Sequence, residues 1–194
     1  MHDEFKLVSP LPTARPPRTV IVTPTLHDGV VVLDRYTDDD IPAHLAGEDE
    51  ETARRFGWWP KTSTPATVRD AFARWAHDWD TGGPTRTFAT RDQATGRLLG
   101  GCELRIKPGG PANIAYWTNA SARGRGYATR SLALLLDYAR SIGIRDAEAQ
   151  IAADNHASRR AAEKAGFLPS TTFTAEDGTG MISYQVHLRN SEDL

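Results

Sequence analysis

The sequence predicts a single-domain α/β protein. A chain of 194 residues allows one domain of typical size or a slightly extended one. Short β-branched or apolar segments alternate with segments of helical periodicity, in the order strand, two helices, three strands, helix, strand, helix and two strands. Where strands follow one another without a helix between them, we expect an antiparallel meander in the middle of the chain and a hairpin at its end.

Before this domain the sequence is rich in proline. Five of the twelve prolines lie in the first 24 residues: Pro10, Pro12, Pro16, Pro17 and Pro24. Proline has no N–H for a strand ladder and favours an extended, polyproline-like backbone. We therefore interpret residues 1–27 as an N-terminal arm and residues 28–194 as the domain. The arm is expected to be a disordered tail, and the alternative is a strap on another subunit, as in a homodimer.

The first half of the domain is expected to place two helices between a first strand and the meander. Residues 29–36 are short and β-branched, and the acids at 38–40 before Pro42 are typical of a helix start. A second helix is expected from Thr64 to Gly82. Its apolar side chains recur at helical spacing: Val68, Phe72, Trp75, Ala76 and Trp79. The strands of the meander are predicted at 85–91, 97–106 and 112–118.

Helices and strands alternate in the second half. A helix that ends near Gly143 is indicated by apolar residues at helical spacing: Ala128, Leu132, Leu135, Leu136 and Ala139. A compact strand is predicted at 147–152, followed by a helix that Asp154 and Asn155 cap and that ends at Ala165-Gly166. The final hairpin is expected to pair residues 167–174 with residues 181–188.

Composition excludes several partners. Lys plus Arg number 23 against 25 Asp plus Glu, so the net charge of -2 provides no chain-wide basic excess to hold a nucleic acid. The longest apolar runs, 30–33 and 132–136, are far shorter than the roughly 20 residues of a membrane helix, so no membrane partner is expected. The first four residues lack a secretory pattern and the single Cys102 can form no internal disulfide, which predicts a cytoplasmic protein.

The most informative segment is a glycine-rich turn between a predicted strand and a predicted helix, Arg123-Gly-Arg-Gly-Tyr-Ala-Thr129. Glycines let the backbone approach a ligand closely, and the N–H groups of a first helical turn favour phosphate. The turn has neither the Gly-Lys-Ser/Thr of a P-loop nor the third glycine of a dinucleotide loop. Taken alone, it would be interpreted as a tight structural connection.

Within this turn, Arg123-x-x-Gly126-x-Ala128 resembles the coenzyme A pyrophosphate motif of the GNAT N-acetyltransferases. Three further segments resemble the RimJ/RimL-like branch, which acetylates ribosomal-protein N-termini: Tyr116-Trp117, Asn155-x-x-Ser158 and Glu163-Lys-Ala-Gly-Phe167. The resemblance extends more loosely over about residues 28–188 and leaves only the arm uncovered.

The resemblance implies a GNAT fold, with a mixed and mostly antiparallel sheet and helices on both faces, in which the strand ending at Thr118 splays from the strand ending near Ala152. It implies acetyl-CoA as co-substrate and no metal. Pantetheine would lie in the gap like an added strand. The implied cofactor-binding residues are Trp117, Thr118, Arg123, Gly124, Arg125, Gly126, Tyr127, Ala128, Thr129 and Asn155.

For catalysis, the resemblance implies a proton donor for the departing thiolate and an acceptor amine that loses a proton. Ala162 stands where many family members have a donor tyrosine, so we expect Ser158 to replace it, with a simple helix cap as the alternative. Glu103 is the expected base. The alternative bases are Asp154 and His156, and a chain of water molecules would need no dedicated base. The alternative for Glu103 itself is a side chain that merely faces solvent. Cys102 is given no role.

The expected function is therefore acetyl-CoA-dependent N-acetyl transfer directly to a primary amine, on a peptide or protein N-terminus or on a small molecule. The acids at 48–51, beside Trp58 and Trp59, would attract a cationic amine or would simply be a solvated helix start. The alternatives are an enzyme that modifies antibiotics or metabolites and a coenzyme A-binding module without catalysis. Three residues depart from the branch pattern, namely Asn113, Ala115 and Arg130.

Overall fold

The computed structural model of the chain describes residues 22–57 and 60–188. Its strands are β1 (Leu26–His27), β2 (Val31–Asp34), β3 (Thr85–Asp92), β4 (Leu98–Arg105), β5 (Ala112–Thr118), β6 (Asp146–Ala152), β7 (Leu168–Thr174) and β8 (Gly180–His187). Its helices are α1 (Ile41–Gly47), α2 (Glu50–Arg55), α3 (Pro65–Thr81), α4 (Tyr127–Ser141) and α5 (His156–Lys164). Short 3₁₀ turns lie at Asp38–Asp40 and Ala120–Ala122.

The strands form one sheet in the order β1-β2-β3-β4-β5-β6-β8-β7. Every neighbouring pair is antiparallel except β5 and β6, which run parallel. The α4 helix connects these two strands, as a parallel connection requires. The predicted fold class, a mixed and mostly antiparallel sheet with α-helices, is thereby confirmed.

The sheet opens between its two parallel strands. β5 and β6 pair only at Ala112 with Ala147 and at Asn113 with Glu148. β5 nevertheless continues to Thr118, still paired with β4, and β6 continues with β8 as its partner. The implied splay is confirmed, and among the described residues it leaves one backbone edge of β5 without a strand partner.

Helices cover both faces of the sheet because successive side chains of a strand point in opposite directions. Phe88 of β3 packs in the core cluster that includes Leu132 and Leu135 of α4. The next residue, Ala89, packs in the cluster that includes Val68 and Phe72 of α3. The sheet therefore lies between α4 on one face and the first part of α3 on the other, while Trp79 near the end of α3 packs with Phe88 in the α4 cluster. No helix within the described residues is long and apolar enough to cross a membrane.

The helices and strands follow the prediction closely, with two differences at the N-terminal side. β1 lies inside the segment that was assigned to the arm, since Leu26 and His27 pair with β2. The greater part of the arm, residues 1–21, lies outside the described residues, so the tail and the dimer strap both stay predictions. A third helix, α2, precedes α3, because Asp49 has extended backbone and its side chain accepts a hydrogen bond from the Thr52 N–H.

A nearly buried arginine ties this N-terminal region to the sheet. Arg91 of β3 donates to Asp34 of β2 (Nε to Oδ1, 2.8 Å) and to both carboxylate oxygens of Asp40. The Asp40 side chain is only 7% exposed. Although burial by itself raises the pKa of Asp40, hydrogen bonds from Arg91 and from the Thr37 backbone bring it below its usual value. Asp40 therefore depends on Arg91 to stay charged.

Replacing Arg91 with alanine should destabilise the fold by about 3 kcal/mol, because it leaves a buried carboxylate without its partner. Since the folded pKa of Asp40 is lowered, its contribution is complete above the ordinary carboxyl pKa of about 3.9 and is lost as the pH falls through the folded value. Urea unfolding of wild type and Arg91→Ala at pH 7 and pH 3 should show a smaller difference at pH 3. The control is Arg69→Ala, which breaks an exposed pair with Asp38 and should cost less than about 1 kcal/mol.

Candidate active site

Two cavities meet at the gap between β5 and β6. The loop cavity, about 370 Å³, is lined by the end of β5, the glycine-rich turn and α5. The gap cavity, about 1210 Å³, is lined by α2, β5, β6 and the turn before β8. Six residues line both cavities: Glu51, Arg55, Phe56, Tyr116, Asn155 and Ser158. A molecule in one cavity can therefore reach a molecule in the other at this boundary.

The glycine-rich turn presents backbone to the loop cavity. Gly124 and Gly126 have φ of 76° and 81°, in the left-handed region that favours glycine. Gly126 is the residue before α4, and no side chain caps this helix, so its first N–H groups are available to a ligand. A Cβ added at either glycine would meet no atom within 4 Å, so there is open space beside the turn. This arrangement fits the pyrophosphate of coenzyme A.

The edge of β5 fits the rest of that ligand. Trp117 and Thr118 line the loop cavity and lie beyond the last residue pair of β5 with β6. An unpaired strand edge offers N–H and C=O groups to an extended amide chain such as pantetheine. The loop cavity therefore has a backbone edge for an amide arm and a helix N-terminus for phosphates.

Some of the other implied cofactor-binding residues line the loop cavity, and others have a structural role beside it or do not reach it. Tyr127, Ala128 and Thr129 of the first turn of α4 line the loop cavity, whereas Arg125 is not among the lining residues. The Asn155 side chain accepts a hydrogen bond from the Ser158 N–H (3.1 Å) and so caps α5. Arg160 and Lys164 of α5 also line the loop cavity. They were missed because nothing in the sequence shows which face of α5 meets the turn.

Arg123 lines the loop cavity, but its guanidinium is held by α2. It donates to both carboxylate oxygens of Asp49 (2.8 Å each), to Glu51 (3.1 Å) and to the hydroxyl of Thr52 (2.9 Å). The hydrogen bonds from Arg123 hold the pKa of Asp49 well below its usual range. Two carboxylates thus balance the charge that was expected to face a phosphate, and Arg123 docks α2 against the turn.

The acids at 48–51 are each engaged within the protein. Asp49 is the N-cap of α2, and Glu50 and Glu51 lie in its first turn. Glu50 pairs with Arg54, Glu51 with Arg55 and Arg123, and Glu48 with the Ser63 hydroxyl. This geometry favours the solvated helix start over a cluster that attracts a cationic amine. Trp58 and Trp59 lie outside the described residues.

The hydroxyl of Ser158 lies at the boundary of the two cavities and makes no cap. Asn155 caps the helix, and the Ser158 Oγ lies 2.7 Å from the hydroxyl of Tyr116. That tyrosine hydroxyl also donates to the Ser158 carbonyl at 2.9 Å. Ala162, which stands where many relatives have tyrosine, is fully buried. A phenol therefore does lie beside this serine, but it comes from β5 instead of α5.

Glu103 lines neither cavity. Its carboxylate accepts hydrogen bonds from Arg105 (2.7 Å) and from the Thr87 hydroxyl (3.2 Å), so the structure gives it a pairing role on β4 and no contact with the gap. Of the alternative bases, Asp154 lines the gap cavity and pairs with Arg55, and His156 lines neither cavity. Cys102 is buried, and that burial raises the pKa of its thiol to about 12.

The three departures from the branch pattern have separate locations. Asn113 and Ala115 line the gap cavity, on the side where β5 leaves β6. Arg130 pairs with Asp28 at 2.7 Å, so its charge is used to hold α4 to the segment before β2. Within the described residues, no group of three or more His, Cys, Asp or Glu side chains could hold a metal ion.

The comparison with family models identifies the type of domain. A model described as Acetyltransferase (GNAT) domain matches residues 31–168. A comparison of the sequence with curated proteins finds no match.

Solved structures share the fold at low identity. RimJ of Mycobacterium smegmatis with CoA-disulfide has a TM-score of 0.72 at 20% identity, over 92% of this chain and 91% of that chain. RimL, a ribosomal α-N-protein acetyltransferase with coenzyme A, has a TM-score of 0.73 at 18% identity, over 83% of this chain and 96% of that chain. Spermidine N-acetyltransferase of Vibrio cholerae, with CoA and spermine, has a TM-score of 0.69 at 15% identity, over 84% of this chain and 97% of that chain. At these identities the likeness shows the fold.

The glycine-rich turn generates a binding prediction. Acetyl-CoA at a hundredfold excess over its Kd should stabilise the wild type by about 2.7 kcal/mol, because it binds only the folded state. Gly126→Ala should lose most of this gain, since a methyl group would stand where backbone meets phosphate. Thermal unfolding with and without acetyl-CoA measures both values.

The matched control is Gly96→Ala. Gly96 has φ of 71° in the turn between β3 and β4 and open space around it, so both variants carry a similar backbone strain. Gly96→Ala should keep the full gain from acetyl-CoA. Equal gains in the two variants would show that the turn does not hold the phosphates.

Proposed function

The chain belongs to the GNAT acetyltransferase family, and on this basis we propose that it transfers the acetyl group of acetyl-CoA directly to a primary amine in the gap cavity. The observation that carries the proposal is the boundary at Ser158, where the loop cavity and the gap cavity meet. A direct transfer needs both reactants to meet there, within reach of a proton donor.

In this proposal the loop cavity binds acetyl-CoA, whose thioester supplies the activated acetyl group. The N–H groups of Tyr127, Ala128 and Thr129 take the pyrophosphate, and the edge of β5 at Trp117 and Thr118 takes the pantetheine arm. Arg160 and Lys164 add positive charge to the same cavity, whereas two carboxylates already balance Arg123. Binding thus depends mainly on backbone groups and on the α5 cations.

The gap cavity receives the amine. Its volume of about 1210 Å³ exceeds what one small ligand needs, which favours an extended acceptor such as a peptide N-terminus. Three of the four acids that border it, Glu50, Glu51 and Asp154, are paired with arginines, so a polycation gains little from them. The fourth, Asp177, accepts a hydrogen bond from the Thr179 N–H. The amine arrives neutral, and its proton can leave to water in the open cavity, without Glu103 as base.

Ser158 is proposed as the proton donor. Its hydroxyl gives a proton to the leaving sulfur, which has kept the electron pair of the broken bond, and it regains a proton that the acylated amine nitrogen has lost. The cap at this helix end is already provided by Asn155, which supports a separate role for the serine. A cytoplasmic location is part of the same proposal, in line with the single, buried Cys102.

An acceptor panel tests the activity. The purified protein with acetyl-CoA is offered peptides with varied first residues, polyamines and aminoglycosides, and products are identified by mass spectrometry while thiol release is followed. We expect acetylation of peptide N-termini. Acetylated polyamine or aminoglycoside alone would assign a small-molecule acceptor. Stabilisation by acetyl-CoA without product from any amine would show a binding module.

Ser158→Ala should lower kcat by about 10²- to 10⁴-fold, the usual contribution of a positioned proton donor. The Kd of acetyl-CoA should change less than twofold, because the serine hydroxyl stabilises the leaving sulfur only in the transition state and adds little to the binding of the intact thioester. Steady-state kinetics and calorimetry measure the two quantities. Ser141→Ala is the control, since the Ser141 hydroxyl bonds within α4 and lines neither cavity. An unchanged kcat in Ser158→Ala would make water the proton source.

A further inference from the structure

We infer that Tyr116 is a positioning residue, whose hydroxyl holds the Ser158 side-chain oxygen in place at the boundary of the two cavities. The inference rests on the proposed function, because it adds a partner to the serine that the proposal makes the proton donor. The observation behind it is a pair of contacts from one phenol, 2.7 Å to the Ser158 Oγ and 2.9 Å to the Ser158 carbonyl.

The hydroxyl of Tyr116 has one proton to donate, and its oxygen can also accept. The Ser158 carbonyl can only accept, so the phenol donates to this carbonyl at 2.9 Å and accepts from the Ser158 hydroxyl at 2.7 Å. The two contacts fix the Ser158 side chain at the place where both cavities open, and within the described part of the chain its hydroxyl has no second protein partner. When the serine proton passes to the leaving sulfur, the phenol can turn its own proton from the carbonyl to the serine oxygen, so that the oxygen stays in place.

The phenol suits this task because its surroundings hold it in place and protonated. Tyr116 lies on β5 opposite Cys102 of β4, and its ring packs against the main core. Burial raises its pKa to about 12, so the hydroxyl stays a donor throughout the neutral range. The serine lies on the first turn of α5, which Asn155 caps. Both partners thus stand on rigid elements, as accurate positioning requires.

A merely structural role is the competing explanation, because the same hydrogen bond joins β5 to α5 across the splayed gap. The two roles differ in what they change. A structural bond contributes to stability and to the shape of the loop cavity. A positioning bond contributes to kcat through Ser158, and it has no effect on kcat once the serine hydroxyl is removed.

The test is a double-mutant cycle of Tyr116→Phe and Ser158→Ala, measured in acetyl transfer to the amine that the wild type acetylates. Tyr116→Phe keeps the ring and removes only the hydroxyl. We expect it to lower kcat by about 10- to 100-fold, the cost of a poorly aligned reacting group. The Kd of acetyl-CoA should stay within twofold of the wild type. The double variant should be no slower than Ser158→Ala alone.

Tyr184→Phe is the matched control. Tyr184 is buried, and its hydroxyl also bonds to α5, donating to Glu163 (3.0 Å) and accepting from Arg159 (3.0 Å), but it lines neither cavity. This variant should lose stability and keep kcat. If Tyr116→Phe does the same, the bond is structural and the inference is wrong.

The remaining outcomes separate the inference from the proposed function. A wild type that acetylates no amine in the panel overturns the proposed function, and the inference fails with it. A wild type that turns over while Tyr116→Phe keeps full kcat overturns the inference alone. A double variant slower than Ser158→Ala by the full effect of Tyr116→Phe would show that the phenol acts independently of the serine, which also overturns it.

Discussion

The site depends on the point at which β5 and β6 part. Two residue pairs hold these parallel strands together, and beyond Asn113 each strand continues with only its other neighbour. A complete ladder would satisfy the backbone of both strands and would fill the place where the two cavities meet. Within the described residues, the partial ladder leaves an unpaired edge on β5, and that edge, with the uncapped start of α4, is where the proposed function places acetyl-CoA.

Ion pairs in this protein shape the site more than they offer charge to ligands. Arg123 donates hydrogen bonds to Asp49, Glu51 and Thr52, and these bonds hold α2 beside the turn. Arg55 of the same helix pairs with Asp154 on the other side of the gap. The short α2 helix consequently bridges the two loops that follow β5 and β6. Among the described residues, the positive groups that face the loop cavity without such an ion pair are then the N–H groups of the first turn of α4 and the α5 residues Arg160 and Lys164.

The fold and the place of the glycine-rich turn within it could be predicted because both depend on local patterns. The glycine-rich turn needs left-handed backbone at Gly124 and Gly126, and its position between a strand and a helix is visible in the sequence. Side-chain roles were harder, because they depend on which distant segment each group meets. Glu103 was expected to face the acceptor, and it pairs with Arg105 and Thr87 instead.

By itself, the sequence determined the order of the longer helices and strands, the glycine-rich turn before α4 and the position of Ser158 on α5, since periodicity, glycine and capping residues act over a few neighbouring positions. Only the tertiary structure decided what faces that serine. Tyr116 and Ser158 are 42 residues apart and belong to a strand and a helix that meet through the splayed sheet. Their contact follows from how far β5 runs past its pairing with β6, and no local pattern encodes that length.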